Sequence, residues 1–333
     1  TEGYWGGNEY TFDTSASNVI TINIAGLTAA GQQLAIWATE AWETVANLSF
    51  EIVTTGEMIA LDDEYAGAYA SAPVFGNGAE ININSSWIGA QGAKINSYGF
   101  QTYMHEFGHA LGLGHQGDYD GSAAYDFNGD VVFTNDSWQL SIMSYFDQLE
   151  NTSTNASFGY ATGPMMVDIY AIQDLYGAPD SGSATAGDTV YGRGSNLGTY
   201  MDEVFESIAL GATSANVGAA SMSFTIYDFD GIDILDLGFF DVDTRLDLRE
   251  RQFSDFGTQI AMLGIAVGTV IENATVGSGD DTVTGNDADN YLVLGSGNDT
   301  AMGGEGSDEI IGGEGNDTIS GENGNDIVYG SFG

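Results

Sequence analysis

Residues 276–329 read VGSGDDTVT, GNDADNYLV, LGSGNDTAM, GGEGSDEII, GGEGNDTIS and GENGNDIVY, six nonapeptides with no residue between them. In each, six glycine-rich positions suit a turn with exposed carbonyls, and three positions around one apolar side chain suit a short strand. The apolar residues are Val283, Leu292, Ala301, Ile310, Ile319 and Val328. A single such strand buries too little surface to stand alone, so the turns must stack, which gathers these side chains into a thin core. Stacking also aligns the sixth positions: Asp281, Asn290, Asp299, Asp308, Asp317 and Asp326. A cation between successive turns would neutralise the five carboxylates among them, and without it the segment is expected to unfold.

All three histidines of the chain fall in one window, HEFGHALGLGH, from His105 to His115. Four residues separate His105 from His109, which puts both rings on one face of a helix. His115 would leave that face if the helix continued, and Gly112 and Gly114 supply backbone that can turn the chain back. Three neutral imidazoles leave a zinc ion its full charge and an open position for water, whose pKa falls to about 7. Glu106, beside the first ligand, is then the base that takes the water's proton. Phe107, Ala110, Leu111 and Leu113 are expected to hold the ligand helix in a core.

The extended pattern HExxHxxGxxH, with Ser141, Ile142, Met143, Ser144 and Tyr145 downstream, resembles the metzincin metalloproteases and their Met-turn. HQGDYDG after the third histidine, FGYATGPMMVDIYAIQDLYGA after the Met-turn, and YDFDGIDILDL and AVGTVIENA further on are similar to the serralysin family. The resemblance implies an α+β metzincin catalytic domain, residues 1–180, followed by a C-terminal all-β parallel β-roll, residues 181–333. It implies a secreted zinc-dependent metalloendopeptidase, exported by a type I route, with one catalytic zinc held by His105, His109 and His115. Met143 would form an apolar floor under the metal. Tyr145 would coordinate zinc at rest and then swing away to donate a hydrogen bond to the oxyanion.

The GGxGxDxUx repeat is the calcium-binding pattern of parallel β-helices. In the family's geometry an ion sits between turns eighteen residues apart. Carried over, that gives Gly277, Gly279 and Asp281 with Leu294, Ser296 and Asp299; Gly295, Gly297 and Asp299 with Gly312, Glu314 and Asp317; and Gly304, Gly306 and Asp308 with Gly321, Asn323 and Asp326. A fourth set joins Asn286, Ala288 and Asn290 to Gly303, Glu305 and Asp308, and is expected to bind more weakly because Asn290 lacks a charge. Two further sets precede the repeats: Thr185, Gly187, Thr189, Asp228, Asp230 and Asp233, then Gly231, Asp233, Val270 and Glu272. Thr185 and Asp230 depart from the family's usual arginine and glycine, which carbonyl coordination tolerates. About six calcium ions are therefore expected.

Composition bounds the partners. Forty-eight acidic residues against five basic ones give a formal charge of -43, which repels nucleic acid and anionic membranes. No cysteine is present, so packing and metals must supply stability. No apolar run reaches the 18 or so residues of a membrane span. Protein or peptide substrates are expected, a proteinaceous inhibitor is a further candidate partner, and the chain is expected to be a monomer. Thr1 begins no signal peptide, so the chain reads as a mature form, and the serralysin resemblance implies a propeptide and an export signal outside it. The competing class is a calcium-dependent exported binding or adhesion protein with an inert zinc centre. In the first half, apolar spacing predicts helices over 27–46 and 165–176 and strands over 49–53 and 80–84, with 79–87 as the substrate-binding edge strand.

Overall fold

The computed structural model describes residues 10–73, 78–117, 119, 121–126 and 130–330. The chain divides into two compact units, Thr1–Pro179 with Ala215–Phe224, and Asp180–Ser214 with Thr225–Gly333. The short segment 215–224 thus groups with the first unit although the chain has already passed into the second. No helix among the described residues is long and apolar enough to cross a membrane.

The first unit begins with β1 (Val19–Gly26), α1 (Ala29–Val45), β2 (Ser49–Ile52), β3 (Ile59–Asp62), β4 (Ala68–Ala70) and β5 (Ala79–Ile83). Next come α2 (Ser85–Gln91), α3 (Tyr98–Ala110), β6 (Tyr160–Ala161) and α4 (Met166–Tyr176). The sheet runs β2-β1-β3-β5-β4, parallel except for β4 against β5. In β1 the buried residues Ile20, Ile22 and Ile24 alternate with less buried ones, the period of a strand with one face in a core. Thr28 caps α1, its hydroxyl accepting the Gly31 N–H at 3.3 Å. The buried face of α1 meets α3: Trp37 lies edge-on to Phe100 at 6.1 Å, and the Trp42 indole donates to Met104 O at 3.2 Å.

The expected edge strand is corrected here. Residues 79–83 form β5, which lies between β3 and β4, and 85–91 form helix α2. β4 is the edge instead, pairing with β5 from Ala68 opposite Ile83 to Ala70 opposite Ile81. Its three residues are too few for periodicity to reveal.

The second unit carries β7 (Val190–Gly192), α5 (Tyr200–Leu210), β9 (Ile234–Asp236), β10 (Thr244–Asp247), β11 (Phe253–Phe256), β12 (Gln259–Ile265) and β13 (Asn273–Thr275). The boundary runs through β8 (Met222–Ile226). The nonapeptides supply β14 (Thr282–Thr284), β15 (Tyr291–Val293), β16 (Thr300–Gly304), β17 (Glu309–Ile311), β18 (Thr318–Glu322) and β19 (Ile327–Tyr329). Successive repeats alternate between two sheets. One is the parallel series β19-β17-β15-β13-β9-β7, and the other contains β18-β16-β14-β10. Pairing steps by eighteen residues, Val283 to Ala301 to Ile319 and Leu292 to Ile310 to Val328. Val283, Leu292, Ala301 and Ile310 are buried. Ile319 is half-buried, and Val328, expected to face a core, is 46% exposed, because no described strand lies beyond β19.

Candidate metal centre and catalytic cleft

Ser97 starts α3 by accepting the Phe100 N–H, and the helix then carries His105 and His109 on successive turns, ring centroids 4.7 Å apart. Phe107 anchors the opposite face, fully buried and edge-on to Phe50 at 5.9 Å. The helix ends at Ala110. Gly112, at φ 101°, reverses the chain, with Leu113 N donating to Gly108 O at 2.8 Å. That reversal brings His115 back, its Nε2 2.9 Å from that of His109 and 3.3 Å from that of His105.

Each histidine is held from behind by a backbone carbonyl. Nδ1 of His105 lies 2.8 Å from Ile142 O, that of His109 2.9 Å from Leu113 O, and that of His115 2.6 Å from Tyr119 O. A carbonyl can only accept, so every Nδ1 carries the proton and every Nε2 presents a lone pair to the other two. Three lone pairs at such separations repel unless a cation lies among them. Tetrahedral zinc with bonds of about 2.0–2.1 Å sets its nitrogens about 3.3 Å apart, close to both distances from His115. The donor set therefore fits the metal. Burial pushes His105 down to about 3, with His115 adding to the effect, His109 well below the usual 6.5, and His115 down to about 4.

Glu106, 6% exposed, lines a cleft of about 370 Å³ together with His105, Trp87, Tyr98 and Tyr145. Gly67 and Ala68 of the β4 edge line the same cleft. Tyr145 packs its ring 4.4 Å from that of His115, and its hydroxyl accepts the Gly121 N–H at 3.3 Å. Met143 is buried behind the histidines: a Cβ on Gly108 would come within 2.6 Å of its sulfur, so helix and Met-turn touch only because position 108 lacks a side chain. A second cavity of about 620 Å³ is lined by His115, Met143, Leu113, Phe133 and Val167.

The calcium candidates cluster in the second unit. Each sixth-position carboxylate takes a backbone N–H from the adjacent turn with one oxygen: Thr244 N to Asp281, Asp281 N to Asp299, Asn290 N to Asp308, Asp299 N to Asp317 and Asp308 N to Asp326. The other oxygen of Asp281, Asp299, Asp308 and Asp317 is buried with no hydrogen-bond partner. Buried unsatisfied carboxylate oxygens are costly and mark where a cation fits. Burial, with neighbouring carboxylates, pushes Asp281 up to about 6 and raises Asp299 and Asp308. The carbonyls of Gly277, Ser296, Gly295 and Glu314 face the adjacent turns, each accepting one backbone N–H. Asn290 differs: its amide accepts Asn286 N–H at 2.8 Å and donates to Glu272 O at 3.0 Å, so it needs no ion.

Ahead of the repeats, Gly187 N donates to Asp230, Thr189 N to Asp233, Asp233 N to Glu272 and Phe229 N to Thr185 O. Asp228 and Asp233 are buried together, and burial raises them to about 8 and about 6. Val270, 45% exposed, could offer only its carbonyl.

Residues 182–331 match the family described as peptidase M10 serralysin C terminal. The chain is 38% identical over 304 residues to metallopeptidase AprA of Pseudomonas marginalis, covering 85% of this chain and 61% of that protein. It is 35% identical over 265 residues to serralysin of Photorhabdus luminescens, covering 76% and 52%, and 35% identical over 272 residues to serralysin G of Dickeya chrysanthemi, covering 77% and 53%. The chain is a relative of the serralysins. It spans about half to three-fifths of the length of these curated relatives.

In this serralysin relative the supports of the histidines are the part that residue types and spacing did not reveal. Asp168, on α4, accepts the Ser141 hydroxyl at 2.6 Å and the N–H groups of Ile142 and Met165 at 2.8 Å, fixing the Met-turn whose Ile142 carbonyl holds His105. Burial raises Asp168 to about 6. Its one local signal was an acid three residues past Met165, where a helix start favours it. Tyr119 lies four residues past His115 but no motif marks it as a support, and Asp136 gave no local signal because its partner Tyr119 is 17 residues away.

Proposed function

We propose that the chain is a secreted zinc endopeptidase that cleaves extended protein segments, with residues 1–180 catalytic and residues 181–333 a calcium-dependent roll. The single observation that carries this reading is the convergence of three unprotonated Nε2 atoms beside Glu106 in an open cleft. Zinc bound there would supply Lewis acidity and bring a water within reach of deprotonation at neutral pH. The substrate lies along the β4 edge, adding itself to the sheet. Glu106 accepts the water's proton as oxygen bonds to the peptide carbon, then delivers it to the amine as the carbon–nitrogen bond breaks. Tyr145 releases Gly121 and donates to the carbonyl oxygen as it gains negative charge. The roll takes calcium at three strong gaps, one weaker gap at Asn290 and two sites before the repeats, and the working chain is an extracellular monomer.

Casein digestion tests this. The calcium-loaded chain should cleave casein, zinc chelation should abolish cleavage, and Glu106→Ala should lower it by roughly 100- to 10,000-fold while retaining zinc. Cleavage insensitive to the chelator or to the substitution would defeat the mechanism.

A further inference from the structure

Among the three carbonyls that hold the histidines, two belong to residues with apolar side chains, Ile142 and Leu113, and one belongs to Tyr119. Tyr119 touches the site three times. Its carbonyl takes the His115 Nδ1 proton at 2.6 Å, and its ring stacks on His115 at 5.1 Å and 23°. The same ring lies 4.8 Å from Tyr145, with Phe146 edge-on at 5.3 Å. Its hydroxyl donates to the carboxylate of Asp136, 3.1 Å from each oxygen.

Asp136 is fully buried. It has no ion-pair partner among the described residues: the four arginines pair with acids of the second unit, and Lys94 bonds to Ala215 O. Burying a charge without a counter-charge is expensive, and a neutral amide would accept the same phenol proton at lower cost. A carboxylate under those conditions gains from a cation in front of His115, the ring on which Tyr119 stacks.

We propose that Tyr119 is a positioning residue for the metal centre and Asp136 its buried anchor. The carboxylate fixes the phenol, the phenol fixes the ring against His115 and Tyr145, and the carbonyl of the same residue fixes the tautomer of His115. The charge of Asp136 makes His115 a stronger donor. This rests on the metal reading of the three histidines.

The test uses the full calcium-loaded chain stripped of zinc, measuring zinc affinity by competition with a chromophoric chelator, the absorption spectrum of the cobalt-substituted protein, and the melting temperature of the zinc-free form. Asp136→Asn should weaken zinc binding by roughly 10- to 100-fold and shift the cobalt bands, while zinc-free melting stays level or rises. Tyr119→Phe, which keeps ring and carbonyl, should lose a comparable amount, and the double variant little more than the larger single loss. A purely structural role predicts lowered melting with zinc affinity within about twofold of the unmodified chain, and that result overturns the inference. If the unmodified chain binds no zinc that His115→Ala abolishes, the metal reading itself falls, an outcome separate from equal binding by all variants.

Discussion

His109 and His115 are buried and His105 half-buried, as bases that can stay neutral, whereas Asp228, Asp233, Asp281, Asp299 and Asp308 are buried as acids that are charged at neutral pH unless burial stops them. Two of the histidines sit on a helix already secured by Phe100, Phe107 and Trp42, and each of the three rings has a carbonyl partner. The roll buries only one or two apolar residues in each of its first four repeats and none in the last two, and leaves carboxylate oxygens unsatisfied. If both regions bind ions as proposed, one is organised before its ion arrives and the other by it. The difference follows from charge and from the depth of apolar support, not from how many polar groups are buried.

The largest effect should come from a chelator that removes both metals at pH 7.5. Strands of residues 282–329 should melt, read as lost far-UV β signal and rapid proteolysis, while the first unit keeps its near-UV aromatic signal. Joint melting of both units would break the contrast. Phe107→Ala should destabilise the first unit by about 3–5 kcal/mol in denaturant titration and leave the calcium-dependent transition where it was.

Acid should move the two regions in opposite directions. In the calcium-free roll, burial and the charge of Asp299 hold Asp281 up to about 6 against 3.8 unfolded, so the folded turn binds protons more readily than the unfolded chain. Its stability is lowest above about pH 6 and recovers as pH falls from there toward 3.8. In the zinc-free first unit, burial holds His105 near 3 and His115 near 4 against 6.5, so the unfolded chain binds protons first, and the contribution present above 6.5 is lost as pH falls toward 3. Thermal melts of each unit across pH 7 to 4 check both signs. The smallest effect should be local: Asn290→Asp breaks the amide network and adds a charge, so calcium binding in that gap should tighten by roughly tenfold in dialysis, whereas Asp299→Asn, shared by two gaps, should loosen both.

Much of this was legible in the residues. The window from His105 to His115 encodes its geometry in spacing alone, and a repeat of nine that alternates between two sheets must pair at eighteen, as Leu292 and Ile310 do. The helices α1 and α4 followed from apolar periodicity, Thr28 and Gly177. What could not be read was decided by distant contacts. β4 is an edge because of what it pairs with, Val328 is exposed because of what does not cover it, and Asp136 and Asp168 matter through partners far along the chain.

The most direct test of the central claim is a zinc titration of the stripped, calcium-reloaded chain, following cleavage of an unstructured protein against zinc added. Cleavage should rise linearly and stop at one zinc per chain, with His115→Ala inactive throughout and Glu106→Ala binding the same single zinc without cleaving. Cleavage before zinc is added, or cleavage by the His115→Ala chain, would contradict it.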